Sequence, residues 1–373
     1  MPAKVLAWAK GQPVLLVSAA AALLSALVVP PDRAYLAYFN WHTLLCLFAM
    51  LAVLNGFRQI GAFRALATLL VRRFATLRSV VFVLVMVTFF GSMFLTNDMA
   101  LLTFLPLSAM VLSSCGQRHS ILFVFVMQTL AANLGGMILP FGNPQNLFLF
   151  SYYELGLGQF VSVLAVPFLA SLLMISVCCL VAVRPQALEL ESLEAPCFDK
   201  KGFAALLVLF ALVIAMVFNL VANPPAALAV VACMLALGRG DALKHVDYAL
   251  LATFACFFVF SGNLARVPAV QGLLGALLAQ GAFLPSLLAC QLISNVPAAI
   301  LLAPFTQDWA GLLLGVDVGG LGTIVASLAS LITLTEFNRC MPRSTGRFMF
   351  VFAAFNVVFL VVLVALVLCL GLA

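Results

Sequence analysis

Long apolar runs separated by short polar segments make up nearly the whole chain. A helix needs about 20 apolar residues to cross the hydrocarbon core of a bilayer, which is roughly 30 Å thick. The pattern predicts membrane-spanning helices at residues 14–29, 41–56, 121–152, 160–183, 203–221, 226–237, 248–261, 318–337 and 348–370. Asn, Pro and paired Gly interrupt the third and the eighth of these runs, so we expect both to be broken helices.

Two further segments, residues 80–112 and 284–304, each consist of two apolar arms joined by a polar tip. Arms of roughly 10–17 residues reach only about 15–26 Å at 1.5 Å per residue. Because this length falls short of the hydrocarbon core, the pattern favours re-entrant hairpins over pairs of full spans. Non-helical tips are tolerated at membrane depth only where they are buried in protein or line a wet cavity.

The two hairpin tips repeat one pattern. Asn97 lies in the sequence Thr-Asn-Asp and Asn295 in the sequence Ser-Asn-Val, and a proline, Pro106 or Pro304, follows each Asn at the same distance. Interrupted helices at corresponding places in two halves of a chain are the best sequence indication of a transporter's binding site.

The two broken helices also align with each other without a gap. The sequence NLGGMILPFGNPQNLFLF begins at Asn133 and aligns with DVGGLGTIVASLASLITL, which begins at Asp317. The Gly-Gly pairs coincide in this alignment, and the polar positions that coincide after them are Asn143 with Ser327 and Asn146 with Ser330.

Composition agrees with the apolar pattern. The chain is 65% hydrophobic and only 8% charged, whereas a soluble domain carries about a quarter charged residues. The net charge of +6 does not indicate nucleic-acid binding, because the basic residues lie in short loops. The ten Cys show no metal-ligand spacing. We predict an all-α polytopic membrane protein in an inner (plasma) membrane of the bacterial type, with the lipid bilayer as its surroundings.

Charge also predicts the orientation. If each hairpin returns to the side that it enters from, every Lys and Arg except Arg33 and Arg266 falls on the side of the N-terminus. Basic residues in short loops mark the cytoplasmic side, so the N-terminus is expected in the cytoplasm and the C-terminus outside. The extra helix at residues 203–221 inverts the second half. The expected units are a first repeat (1–183), a charged cytoplasmic linker (184–202) and a second repeat with its extra leading helix (203–373).

The tips and the breaks supply the candidate binding residues. Amide oxygens and freed backbone carbonyls suit a hard cation such as Na⁺, whereas helix N-termini favour anions. The candidates for substrate or ion binding are Thr96, Asn97, Asp98, Gly142, Asn143 and Asn146 in the first half, and Ser294, Asn295, Ala326, Ser327 and Ser330 in the second. Two Na⁺ sites are candidates, one at Asn97, Gly142 and Asn143, the other at Asn295, Ala326 and Ser327.

The acidic residues within the apolar regions have different expected roles. Asp98 lies at a hairpin tip, where a carboxylate is usually functional. Glu336 precedes Arg339 by three residues, which favours an ion pair on one helix face. Asp317 is expected to open the second broken helix and to act as a capping residue there.

These residues resemble the ion transporter superfamily, which includes arsenite and antimonite permeases, citrate and other di- and tricarboxylate transporters, and a class of sodium/proton antiporters. The resemblance rests on Asn97 and Asn295 at the tips, GNPQN at residues 142–146 and the Gly-Gly segments, and it covers nearly the whole chain. It implies a scaffold, a mobile transport domain with an elevator-type movement, and a homodimer.

The sequence therefore favours a secondary active transporter that moves a small anion or oxyanion, either arsenite-like or a carboxylate, coupled to Na⁺ or H⁺. The alternative is a Na⁺/H⁺ antiporter that uses Asp98 as its exchange carboxylate. Since the phosphate-binding GxxxxGK[ST] motif and the HExxH motif are both missing from the sequence, an enzyme is disfavoured. No cofactor other than Na⁺ is expected.

Overall fold

The computed structural model describes residues 12–188 and 199–372. Most of the charged linker predicted at residues 184–202 lies outside the described residues. The helices are α1 Pro13–Val28, α2 Tyr35–Tyr38, α3 Trp41–Gln59, α4 Ala62–Val71, α5 Leu77–Gly91, α6 Asn97–Ser114, α7 Ile121–Gly135, α8 Pro144–Tyr152, α9 Leu157–Ala182, α10 Lys200–Val217, α11 Asn223–Ala236, α12 Gly240–Lys244, α13 Tyr248–Leu264, α14 Pro268–Leu278, α15 Phe283–Ile293, α16 Asn295–Leu302, α17 Trp309–Val318, α18 Leu328–Cys340 and α19 Thr345–Cys369.

The all-α prediction is confirmed, since the described part of the chain contains helices and one isolated β-bridge but no strand. Six of its helices are long and apolar enough to cross a membrane, or up to seven if the bent pair α13 and α14, which meet at 99°, counts as one span. The spans predicted at residues 14–29 and 226–237 correspond to shorter helices of 16 and 14 residues.

Both predicted pairs of apolar arms are present, but α6 is among the six helices long enough to cross a membrane, so the re-entrant form stays a prediction. The first consists of α5 and α6, joined by residues 92–96, and the second consists of α15 and α16, joined at Ser294. Both broken helices are present as well. The first continues from α7 through a 3₁₀ turn at Gly136–Ile138 to α8, and the second comprises α17 and α18, separated by residues 319–327. These are the two repeats that the sequence predicts.

The hairpins interlock the two halves. The first arm of each hairpin packs on the broken helix of its own half, α5 on α7 and α15 on α17. The second arm packs on the broken helices of both halves, α6 on α7 and α18, and α16 on α17 and α8. Each tip therefore lies between the two broken helices. Outside this unit, α3 packs against α10 and α11, and α1 packs against α13.

The start of the second broken helix was predicted incorrectly. The helix begins at Trp309, and its N-cap is Asp308, whose carboxylate accepts a hydrogen bond from the Gly311 amide at 2.9 Å. Asp317 is the last residue but one of α17 and is buried. It therefore cannot cap the start of a helix, and the capping role predicted for it is wrong.

Candidate functional site

The hairpin tips dock onto the breaks in the same way in both halves. The backbone amide of Asn97 donates to the carbonyl of Gly142 at 3.2 Å, and the backbone amide of Asn295 donates to the carbonyl of Ala326 at 2.9 Å. Gly142 and Ala326 occupy aligned positions in the repeat. One backbone hydrogen bond therefore joins each tip to its own broken helix, and the two bonds are equivalent in the repeat. Each bond ends at the break, where the helix has no regular backbone hydrogen bonds of its own.

Glycines allow this close approach. A Cβ atom added at Gly135 would lie 2.1 Å from the carbonyl oxygen of Phe89 in α5, and one added at the aligned Gly319 would lie 2.9 Å from the Cα atom of Leu287 in α15. Contacts of this length are not tolerated between a side chain and backbone, so only glycine fits. The first glycine of each pair is therefore explained by packing of the first hairpin arm on the broken helix.

Asn133, near the end of α7, joins the two halves. Its side-chain oxygen accepts hydrogen bonds from Asn97 Nδ2 at 3.1 Å and from Ser327 Oγ at 3.0 Å. Its backbone carbonyl accepts a bond from Asn143 Nδ2 at 3.3 Å. Three predicted site residues thus meet around one amide that the sequence analysis did not select. The available signal was its position as the first polar residue of the aligned segment.

The predicted tip and break residues lie together in a buried polar cluster. Asn295 is linked to it through Ala326, which precedes Ser327. Asn97, Asn143, Asn295 and Ser327 each expose less than a twentieth of their surface. Burial of so many amide and hydroxyl groups is expensive in a membrane unless they bond to each other or to a ligand.

Four helices begin in this cluster. Thr96, Asn143, Ser294 and Ser327 are the N-cap residues of α6, α8, α16 and α18. A helix N-terminus carries about half a positive charge and presents free backbone amides. The arrangement therefore presents free backbone amides at the level where both helices are broken, as an anion site requires, while the C-termini of α7 and α17 end beside them.

Ser294 stands out at the second tip because of its backbone. Its φ is 76° and its ψ is 156°, a region that is essentially restricted to glycine and costs of order 1–3 kcal/mol for another residue. Its hydroxyl lies 3.4 Å from the carbonyl oxygen of Ala326. Such strain at a tip is typical of functional segments.

Asn146 and Ser330, the remaining aligned pair, are both fully buried. Asn146 donates from Nδ2 to the carbonyl of Met137 at 3.0 Å, whereas its Oδ1 has no partner. The Ser330 hydroxyl also has no partner among the described residues. Both residues lie in the first turn of the helices that follow the breaks.

Asp98 lies beside the cluster rather than within it. It is half-buried, and its Oδ1 is buried without a hydrogen-bond partner. It lines a cavity of about 510 Å³ together with Asp247, Glu336, Arg339 and Leu328, the first residue of α18. Glu336 and Arg339 form the predicted ion pair, at 2.5 Å. The carboxylates of Asp98 and Asp247, which also line this cavity, form no ion pair with any described residue.

Comparisons with known proteins identify the family. The citrate transporter family matches residues 5–316. The inner membrane protein YbiR of Escherichia coli K12 is 31% identical over 311 residues, which is 82% of either chain. The "Uncharacterized transporter MJ0456" of Methanocaldococcus jannaschii is 29% identical over 334 residues, covering 87% of this chain and 89% of the relative.

The fold also has a solved counterpart. The crystal structure of the YdaH transporter from Alcanivorax borkumensis, which has an unusual topology, superposes with a TM-score of 0.59 and covers 90% of this chain and 86% of YdaH. At 16% sequence identity this likeness concerns the fold alone. Together with the match over residues 5–316, the comparisons establish that the chain is a multi-pass membrane transporter belonging to the citrate transporter family.

Proposed function

We propose that the protein is a secondary active transporter that binds a small anion or oxyanion in the polar cluster between the two tips, coupled to Na⁺ or H⁺. The observation that carries the proposal is the meeting of four helix N-termini among buried amides and hydroxyls that belong to both halves. Transporters with inverted repeats bind their substrates at such discontinuous helices near the midplane of the bilayer. The citrate for which the family is named makes carboxylates one class to test, and the arsenite-like oxyanions are the other.

The cavity beside Asp98 provides the path to this site. It reaches Asp98 and Leu328, and each of these is adjacent in sequence to a residue of the cluster, Asn97 or Ser327. Under the proposed orientation, with the N-terminus in the cytoplasm and the C-terminus outside, this cavity opens towards the cytoplasm. The second hairpin, which is re-entrant from the outside in this orientation, closes the opposite side.

Movement of the interlocked unit would give access from the other side. The unit comprises both hairpins and both broken helices, and a hydrogen bond of 2.7 Å between Thr129 of α7 and Thr333 of α18 also spans its two halves. These contacts support an elevator-type movement in which the unit shifts as one body past α3, α10 and α11, with the scaffold of a homodimer remaining fixed. Residues 1–183 and 203–373 are the proposed repeats.

A Na⁺/H⁺ antiporter is the second candidate, and the charge of the cavity favours it. Asp98 and Asp247 line the same cavity, where Arg339 is already paired with Glu336. Two unpaired carboxylates attract cations and repel anions. In this alternative Asp98 exchanges Na⁺ for H⁺, and the polar cluster binds no organic or oxyanionic substrate.

Ligand-dependent thermal stability of the purified protein distinguishes the two candidates. A ligand that binds only the folded state raises stability by RT ln(1 + [L]/Kd), so the panel combines citrate, dicarboxylates, arsenite and inorganic oxyanions with Na⁺, K⁺ or choline. An anion transporter is stabilised by at least one anion, and Asn97→Ala and Asn295→Ala each weaken that stabilisation. Stabilisation by cations alone, with no response to any anion, would favour the antiporter.

A further inference from the structure

Asp317 is a buried carboxylate without an ion pair. It exposes 3% of its surface, and no ion pair among the described residues includes it. Its Oδ1 accepts a hydrogen bond from Gln145 Nε2 at 2.9 Å, while its Oδ2 accepts no hydrogen bond of standard geometry from the described residues. An uncompensated charge at this depth is strongly unfavourable in an apolar medium.

The residues around Asp317 also carry side-chain oxygen atoms that lack a hydrogen-bond partner. Gln145 and Asn146 lie in the first turn of α8, and the amide nitrogens of both, with that of Asn143, lie near the carboxylate. Each of the three amides donates a hydrogen bond through its nitrogen, to Asp317, to Met137 or to Asn133. The three side-chain oxygens, Gln145 Oε1, Asn146 Oδ1 and Asn143 Oδ1, are buried without a partner.

Four acceptor oxygens therefore lack a donor in one small buried region, and one of them belongs to a carboxylate. Buried polar atoms are nearly always bonded to protein, water or an ion. A hard monovalent cation satisfies several oxygen atoms at once and neutralises the carboxylate, since such ions bind carboxylate and amide oxygens.

We propose that Asp317, Gln145 and Asn146 form a Na⁺ site, with Asp317 Oδ2, Gln145 Oε1 and Asn146 Oδ1 as ligands. The site is separate from the candidate Na⁺ sites at the two tips, and it joins the first half, through α8, to the second half, through α17. The inference rests on the proposed cation-coupled transport and identifies the coupling charge. Na⁺ at this site removes the negative field of Asp317 before an anion approaches the N-terminus of α8.

The internal repeat supplies the variants that test the site. Asp317 aligns with Asn133 and Asn146 aligns with Ser330, so Asp317→Asn and Asn146→Ser place residues that the other half already accommodates. Asp241→Asn is the control, because this carboxylate is exposed and pairs only with Lys244 on the surface. Binding of ²²Na⁺ to the purified protein, with choline replacing Na⁺ as the reference, gives the affinity of each protein.

Wild-type protein and Asp241→Asn are expected to bind Na⁺ equally. Asn146→Ser should weaken Na⁺ binding at this site by at least roughly 10-fold, and Asp317→Asn should lower the number of Na⁺ ions bound per chain by one, with any Na⁺ at the two tips retained. In choline, Asp317→Asn should be at least as thermostable as the wild type, because it removes an unpaired buried charge. A purely structural carboxylate would instead make this variant less stable without altering Na⁺ binding.

Asp317→Asn protein that binds as many Na⁺ ions per chain as the wild type would overturn the site, and so would Asn146→Ser protein with wild-type Na⁺ affinity at every site. The Asn146→Ser variant keeps the test valid if Asp317→Asn fails to fold. Absence of Na⁺ binding by the wild type would also overturn it, while leaving anion transport driven by H⁺ intact. Conversely, the proposed function fails if no anion is transported, and ²²Na⁺ binding remains measurable in that case.

Discussion

Replacing Asn133 by Leu removes the amide that joins the two halves while keeping the number and branching of its side-chain heavy atoms. The substitution leaves two buried donors, Asn97 Nδ2 and Ser327 Oγ, without their acceptor. The bond from Asn143 remains, because it ends on the backbone carbonyl of residue 133. Both tips and breaks keep their backbone bonds, so the fold is expected to persist with a weakened connection between its halves.

The expected loss follows from those two bonds. Hydrogen bonds between membrane helices contribute about 0.6 kcal/mol on average and at most about 1.7 kcal/mol. Two bonds therefore predict a loss of about 1–3 kcal/mol in the free energy of unfolding, a range that also covers the cost of leaving a buried donor unsatisfied. Reversible unfolding by SDS titration in mixed micelles measures this difference.

Asn356→Leu is the matched control. Asn356 is also a fully buried amide, but it donates only to the carbonyl of Phe352 in its own helix α19, at 2.9 Å. Because its replacement breaks no bond between the two halves, it should lower the free energy of unfolding by less than Asn133→Leu does. If Asn133→Leu were as stable as Asn356→Leu, Asn133 would not hold the two halves together, and its place at the centre of the site would be incidental.

Three further substitutions test the tips, the glycines and the cavity. Ser294→Gly should raise the free energy of unfolding by up to about 1–3 kcal/mol by relieving the strained backbone while weakening ligand-dependent stabilisation; a less stable variant would show that the strain is absent. Gly135→Ala should abolish folded protein on size-exclusion chromatography, because its Cβ would meet the Phe89 carbonyl, whereas Gly158→Ala, with open space around it, should fold normally; equal yields would contradict the packing argument. Asp98→Asn should leave the melting temperature unchanged yet alter the dependence of transport on Na⁺ or pH in proteoliposomes; wild-type rates with both dependences intact would remove Asp98 from the mechanism.

The sequence was sufficient to locate the tips and breaks, because Asn, Pro and Gly-Gly are conspicuous within apolar helices. Asn97 and Asn295 could be selected by their matched distance to a proline, and Asn143 and Ser327 by the alignment of the two halves. These are local signals, and the packing of a membrane helix depends on such small and polar residues. The structure places all four residues in one buried cluster.

The roles of Asn133 and Asp317 could not be obtained in this way. Asn133 acts through Ser327 of the other half, and an alignment of the halves gives equivalent positions but no contacts between them. The sequence pattern predicts a helix start at Asp317 only if the apolar run at residues 309–316 is left out of the broken helix. The N-cap at Asp308 marked the true start, and moving the boundary back to Trp309 turns Asp317 from a capping residue into a buried carboxylate.

Gradient-driven uptake into proteoliposomes tests the central claim most directly. Radiolabelled anions chosen from the stability panel are supplied outside vesicles that carry an inward Na⁺ or H⁺ gradient. The account predicts accumulation of at least one anion above its equilibrium level, collapse of that accumulation when the gradient is dissipated, and its loss in the double variant Asn97→Ala and Asn295→Ala. If no anion accumulates under either gradient, the claim of a coupled anion site between the two tips is contradicted. The claim is also contradicted if the double variant accumulates the anion to the wild-type level.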